Sequence, residues 1–194
     1  MTALAEAMPG EAHSEVTEAF LKAFRRHPAG VAIITGEAGG GPVALTVSSL
    51  ISVSVEPPTV AFSLSESSSS ARLLAMAETV VLHFVQKRNM QLARLCATSG
   101  TNRFGADVAW ERLPTGEPFY PEVSLRFRAA IRGRLPAPGA SVVTAELLSV
   151  SPGNHIASLD ETLVYADRAW HGLGPFVEPA RAPLLLWPDD SATF

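Results

Sequence analysis

Between Val43 and Pro58 the chain alternates, with Val43, Leu45, Val47, Ser49, Ile51, Val53 and Val55 on one side. The other side carries Ala44, Thr46, Ser48, Leu50, Ser52, Ser54 and Glu56. A period of two is the mark of half-buried β-structure, since successive side chains of a strand leave on opposite faces. The alternation is broken on each face, by a hydroxyl at Ser49 and a leucine at Leu50. Two readings fit. One is an antiparallel strand pair with a serine-rich polar face. The other is a strand that bends at the serines and offers N–H and O–H donors to a ligand.

The same reading extends in both directions. Val16, Phe20, Ala23 and Phe24 share a helical face, which predicts a helix from about Ser14 to Arg26, capped by Ser14 and stopped by His27-Pro28. The apolar run 30–35 predicts a strand, and the glycine-rich turn 36–42 joins it to the Val43 stretch as a hairpin. Pro57-Pro58 should end that stretch, because proline cannot donate to a sheet ladder. Alternation then resumes over Thr59–Ser65, with Val60, Phe62 and Leu64 on one side. Ser67–Ser70 precede a short helix whose start is either a plain N-cap or an anion-suited end with free N–H groups.

Further strands are expected over Thr79–Val85, Val123–Arg132, Ser141–Val150 and Thr162–Ala166, with a helix over Asn89–Ala97. His83 reads as a satisfied or solvent-facing residue and Cys96 as a small packing residue. The arginines of Val123–Arg132 suit a defended edge strand or a dimer contact. Arg103-Phe104, in a loop, sets a cation beside an aromatic that either covers a planar ligand or anchors the loop. About seven strands with few, short helices make the chain mainly β, an antiparallel barrel with helical inserts rather than a Rossmann fold. Residues 14–173 form the domain, after a loose leader (1–13) and before a proline-rich tail (174–194). In that tail Leu184–Trp187 is too apolar to be left in water, and packing on the body or on a second subunit is expected.

Composition narrows the class. The 194 residues are 47% hydrophobic and 18% charged, with a net charge of −4. No dense basic run exists for a nucleic acid. No apolar segment approaches the about 20 residues that span a bilayer. The N-terminus lacks the pattern of a secretory signal. The single cysteine, Cys96, cannot form an internal disulfide, and a cytoplasmic location is expected. The sequence has no GxGxxG, P-loop, HExxH, CxxC or GxSxG motif, so neither a metal site nor a hydrolase triad has support.

In order and spacing, HPAGVAIIT (27–35), TVSSLISVSVEPPTVAFSLS (46–65), SSSSARLL (67–74), NRFG (102–105) and LVYADRAWHGL (163–173) resemble the flavin reductase-like family. That resemblance implies an FMN-binding split β-barrel and a homodimer that holds FMN or FAD. It also implies reduction of the flavin by NADH or NADPH, and delivery of reduced flavin to a partner monooxygenase. It places Thr46, Val47, Ser48, Ser49 and Leu50 along the flavin, and Ser63, Ser65, Ser69 and Ser70 at its phosphate. Arg103 and Phe104 join them as cofactor-binding candidates.

One departure stands out. The family's Gly-Asp-His segment, associated with the nicotinamide side, reads Gly139-Ala140-Ser141 here, so Ser141 takes the histidine's position, while Glu146 of the following pair is kept. Either the nicotinamide is held differently, or the protein binds flavin or another small ligand with its reductase activity lost or altered. No catalytic side chain is assigned. Hydride transfer is the cofactors' own reaction, which the protein assists by positioning and electrostatics.

Overall fold

A computed structural model describes residues 9–152 and 158–173, with side chains from Ser14 onward except that of Leu159. The expected tail lies outside the described residues, as does the leader before Pro9. The first helix, α1 (Pro9–Arg26), begins earlier than Ser14, so Ser14 lies within it rather than capping it. Proline is tolerated in a first turn, where its missing N–H would be unpaired anyway. The apolar face of α1 is exposed, with the rings of Phe20 and Phe24 tilted against each other at 4.5 Å.

Short β1 (Ala29–Gly30) leads to β2 (Ala32–Ala38), which forms the expected hairpin with β3 (Gly41–Val47). The alternating stretch then splits. After Ser48-Ser49-Leu50, β4 (Ile51–Val55) runs antiparallel to β5 (Pro58–Ser65), with the turn between them at Glu56-Pro57. Next come α2 (Ser69–Leu74), β6 (Thr79–Phe84) and α3 (Met90–Ala97). A two-strand ribbon, β7 (Glu111–Arg112) and β8 (Pro118–Phe119), precedes the long pair β9 (Arg126–Ala137) and β10 (Ala140–Val150). The last strands, β11 (Leu163–Ala166) and β12 (Ala169–Gly172), form a small sheet with β1.

The main sheet has seven strands in the order β3-β2-β6-β9-β10-β5-β4. It is antiparallel throughout, in keeping with the expected fold class, but the barrel is not closed: β3 and β4 are its two edges. The bend at Ser48–Leu50 therefore carries the chain from one edge of the sheet to the other. β4 is exposed along its whole length, so Ile51, Val53 and Val55 are not buried as their alternation predicts.

β2 is covered on both faces, which is why its apolar run is continuous rather than alternating. Ile34 joins one core with Phe62, Leu74 and Val143. Ile33 joins the other with Leu92, Cys96 and Tyr120. Leu74 has no exposed surface, and its burial stabilises the α2 contact by roughly 1.5–3 kcal/mol. Glycine at position 36 permits that close approach, since a Cβ there would lie 2.9 Å from Leu74 Cδ1.

The expected edge strand at Val123–Arg132 is instead central. β9 pairs with β6 on one side and β10 on the other. Its strict alternation fails because Ala129 and Ala130 are both buried where the strand runs between two neighbours. Its arginines are used internally. Arg128 Nε meets Glu117 Oε1 at 2.7 Å, Arg132 Nε meets Glu146 Oε2 at 2.7 Å, and Arg134 donates to the Ala77 carbonyl at 2.6 Å.

Candidate functional site

The break between β3 and β4 exists because its hydroxyls are pinned from two sides. Ser49 Oγ accepts a 2.9 Å hydrogen bond from the Ser63 backbone N–H on β5. Thr46 Oγ1 donates 2.7 Å to the Ala93 carbonyl, tying β3 to α3. Between these anchors Ser48 is exposed and has no hydrogen-bond partner among the described residues.

Three cavities converge on this segment. The first, about 290 Å³, is lined by Thr46–Ser49, Ser63, Ser65, Ser68, Ser99 and Arg103. A second, about 510 Å³, lies over Thr46–Ser48 between α3 and the β11–β12 hairpin. The third, about 830 Å³, runs from Ser48–Ile51 and Ser63 to Tyr165, Arg168 and the end of α1. The structure thus brings together Thr46, Val47, Ser48, Ser49, Leu50, Ser63, Ser65 and Arg103, which sequence reasoning had singled out from separate segments.

Arg103 supplies the charge of the 290 Å³ cavity. One of its terminal nitrogens donates to Ser70 Oγ and the other to the Thr98 carbonyl at 2.7 Å. Its Nε–H is buried without a partner. Arg103 lines the cavity and brings the positive charge of its guanidinium to it, which suits an anion. Phosphate chemistry therefore fits the residues present.

The serines that open α2 have distinct environments. Ser68, not either of them, is the N-cap, accepting 3.2 Å from the Ala71 N–H. Ser70 is buried and receives Arg103, while Ser69 is exposed outside the 290 Å³ cavity lining. Phe104 anchors its loop. Its ring stacks on Tyr120 at 5.6 Å and 12°, and meets Trp110 edge-on at 5.1 Å. Ser141 pairs with Leu64 and lines a neighbouring cavity with Glu66 and Arg72, which shares Ser65 with the 290 Å³ cavity but includes none of Thr46–Ser49.

Behind the site lies a buried polar chain. His83 Nδ1 donates to the Ile33 carbonyl at 3.1 Å, and its Nε2 accepts from the Tyr120 N–H at 3.1 Å. Both ring nitrogens are satisfied in the neutral form, and burial holds the pKa down to about 3. Burial pushes the Cys96 thiol up to about 11, which leaves it a packing residue and not a nucleophile. Among the described residues no cluster of three or more His, Cys, Asp or Glu side chains could hold a metal ion. None of the described helices is long and apolar enough to cross a membrane.

Arg94, Thr98, Tyr165 and Trp170 also face the site, and sequence reasoning did not assign them. Tyr165 and Trp170 lie in the 163–173 run, but their pairing across β11–β12 is a matter of register. Arg94 needed the placement of α3.

The profile described as "Flavin reductase like domain" matches residues 24–174. Proteins of Rhodococcus qingshengii and Rhodococcus erythropolis named NADH:FMN oxidoreductase are each 46% identical over 96 residues. Those matches cover 50% of this chain and 50% of each relative, so the chain spans about half their length. The stachydrine N-demethylase reductase subunit Stc3 of Rhizobium meliloti is 24% identical over 80% of this chain and 61% of its own. A crystal structure of a flavin reductase domain protein from Arthrobacter sp. FB24 superposes with a TM-score of 0.75 and 31% identity. It covers 84% of this chain and 98% of that one.

Proposed function

The chain belongs to the flavin reductase-like family, and from that premise we propose that it is an NAD(P)H-dependent flavin reductase. In this reading it reduces FMN, or FAD, with NADH or NADPH and supplies the reduced flavin to a partner monooxygenase. The observation that carries this reading is the cavity in which Thr46–Ser49, Ser63 and Ser65 meet the guanidinium-bearing Arg103. Flavin, when bound, supplies the hydride-accepting ring.

The chain's own residues do the holding. Arg103, with the hydroxyls of Ser65 and Ser68, takes the phosphate. The Thr46–Ser49 backbone and the Ser48 hydroxyl line the ribityl chain and ring edge, with Leu50 on the ring side. Such fixed donors stabilise negative charge without having to reorganise, which is how a site lacking an acid–base pair assists hydride transfer. Names of relatives such as NADH:FMN oxidoreductase and a demethylase reductase subunit support both the reaction and the partner.

We further read the protein as a homodimer of the cytoplasm. Ile51, Val53 and Val55 on edge strand β4, with the bare apolar face of α1, supply a surface for a second copy. A stable monomer by sedimentation at micromolar concentration would count against it.

Following absorbance at the nicotinamide band with purified protein, FMN or FAD, and NADH or NADPH tests the reaction. Flavin-dependent oxidation above the protein-free control is expected, and its absence with every pair would sink the reading. A second reading is a flavin-binding protein without efficient reductase activity. The observation favouring it is Ala140-Ser141 in place of Asp-His, with Ser141 turned to another cavity. Thermal stabilisation by FMN without nicotinamide oxidation would select that alternative.

A further inference from the structure

Beside the β11–β12 hairpin lies an apolar cavity that plays no part in the candidate site. Its volume is about 210 Å³, and it is lined by buried Val31, Val85 and Leu163 and by half-buried Leu50, Phe84 and Leu125. Among the described residues no Asp, Glu, Lys or Arg lines it, so a charged occupant would lose its hydration without gaining a partner. A dry cavity of about 150 Å³ holds a benzene ring, so this one suits a single large apolar side chain.

The chain leaves the described fold at the edge of this cavity. The Leu173 N–H donates 3.4 Å to the carbonyl of Thr162, and Thr162 is part of the lining. Eleven residues beyond Leu173 the sequence carries Leu184-Leu185-Leu186-Trp187, set between Pro183 and Pro188. The residues between, 174–183, can span up to about 36 Å, ample to return the run to a cavity that starts at Leu173's own partner. So short a tether gives the run an effective concentration on the order of millimolar, far above that of a second copy at micromolar protein. Trp187 matches the cavity in kind as well as in size. Its ring is apolar and its one N–H needs an acceptor when buried, while the Thr162 hydroxyl has no hydrogen-bond partner among the described residues.

We propose that the Leu184–Trp187 run of the same chain docks in this cavity, with the Trp187 ring among Leu50, Phe84 and Leu125 and its N–H donated to Thr162. The inference does not depend on the flavin reading. It bears on that site, because Leu50 lines this cavity and the 830 Å³ one alike, so an occupant of the first abuts a wall of the second.

A thiol introduced into the lining reports the cover. Leu125→Cys is made in the full chain, with Leu135→Cys, 66% exposed on β9 and outside the lining, as the reference. Cys96 is 1% exposed and adds little background. Circular dichroism verifies the fold of each variant. In native maleimide labelling, adding Trp187→Ser should speed the reaction at position 125 by about tenfold and change that at 135 by less than about twofold. A rate at 125 that Trp187→Ser leaves unchanged overturns the proposal. Protection that survives Trp187→Ser and fades on dilution also overturns it, and assigns the cover to a second copy. A second measurement leaves the cavity unaltered: subtracting the emission of Trp187→Phe from that of wild type isolates the Trp187 fluorescence. Blue-shifted emission poorly quenched by acrylamide is expected, and a spectrum like that of free tryptophan overturns the proposal.

Discussion

The Tyr120 hydroxyl donates a 3.0 Å hydrogen bond to the backbone carbonyl of Arg103. That contact fixes the loop from which Arg103 reaches the cavity, and Phe104 stacked on the same ring fixes it again. Burial drives the Tyr120 pKa far up, so the hydroxyl stays protonated and remains a donor.

Tyr120→Phe deletes the donor and keeps the ring. One hydrogen bond of this kind contributes about 1 kcal/mol, so FMN binding should weaken several-fold. Riboflavin, which lacks the phosphate, should bind Tyr120→Phe and wild type alike. Titration of both ligands against both proteins makes the comparison. Equal losses for the two would show that the clamp does not act through Arg103.

Ser48 projects into all three cavities and is exposed, so it can be enlarged without disturbing the core. Ser48→Leu should leave denaturant stability within about 0.5 kcal/mol of wild type, as surface changes usually do. FMN affinity should fall by about tenfold or more, because added carbon atoms occupy the ligand's space. Unaltered affinity would remove this hydroxyl from the site.

His83 makes stability depend on acid. Its pKa is about 3 in the folded chain against 6.5 unfolded, because burial disfavours the imidazolium and the positive charge of Arg126 adds to the effect. Above pH 6.5 the ring is neutral in both states and contributes no pH dependence. Below it the unfolded chain takes up a proton that the native fold refuses, so stability falls with pH until about pH 3. Between pH 7 and pH 5 the loss should be about 2 kcal/mol. Urea unfolding at the two pH values in wild type and His83→Gln checks this, and the variant should lose that increment.

Glu117 is a buried carboxylate held in its charged form. Burial alone would raise its pKa, but hydrogen bonds from Thr115, Thr79 and Arg128 outweigh burial and leave the carboxyl below its usual value. Glu117→Gln strands Arg128, whose side chain is partly exposed, and should cost about 1–3 kcal/mol. Denaturation at neutral pH measures it. The native contribution is present above the ordinary carboxylate range and is lost as pH falls through the depressed value, so the gap between wild type and variant should narrow in acid.

Local pattern was enough to predict the longer strands, the β2–β3 hairpin, the proline stop and the serine-rich break, but not the short β1, β7, β8 and β12. Backbone geometry and side-chain alternation act over a few residues, and those residues are adjacent in the chain. It was enough, too, to mark the serine-bearing bend near Ser49-Leu50 and the Ser67–Ser70 helix start as places that suit a ligand, while Ser63 and Ser65 came from the family resemblance. The motif order carried the family.

Tertiary structure decided what those stretches face. Val123–Arg132 alternates like an edge strand, yet pairing with β6 and β10 buries both Ala129 and Ala130 and turns its arginines to internal partners. Val53 and Val55 alternate like core residues, yet β4 ends the sheet and leaves them exposed. Arg103 is held at the cavity by Ser70, Thr98 and Tyr120, of which Ser70 and Tyr120 are distant in sequence. Arg94, Tyr165 and Trp170 meet over Ser48 only because α3 and β11–β12 are folded to the same place. Periodicity reports which side of its own element a residue occupies. What stands on that side is settled by long-range packing, which no local pattern encodes.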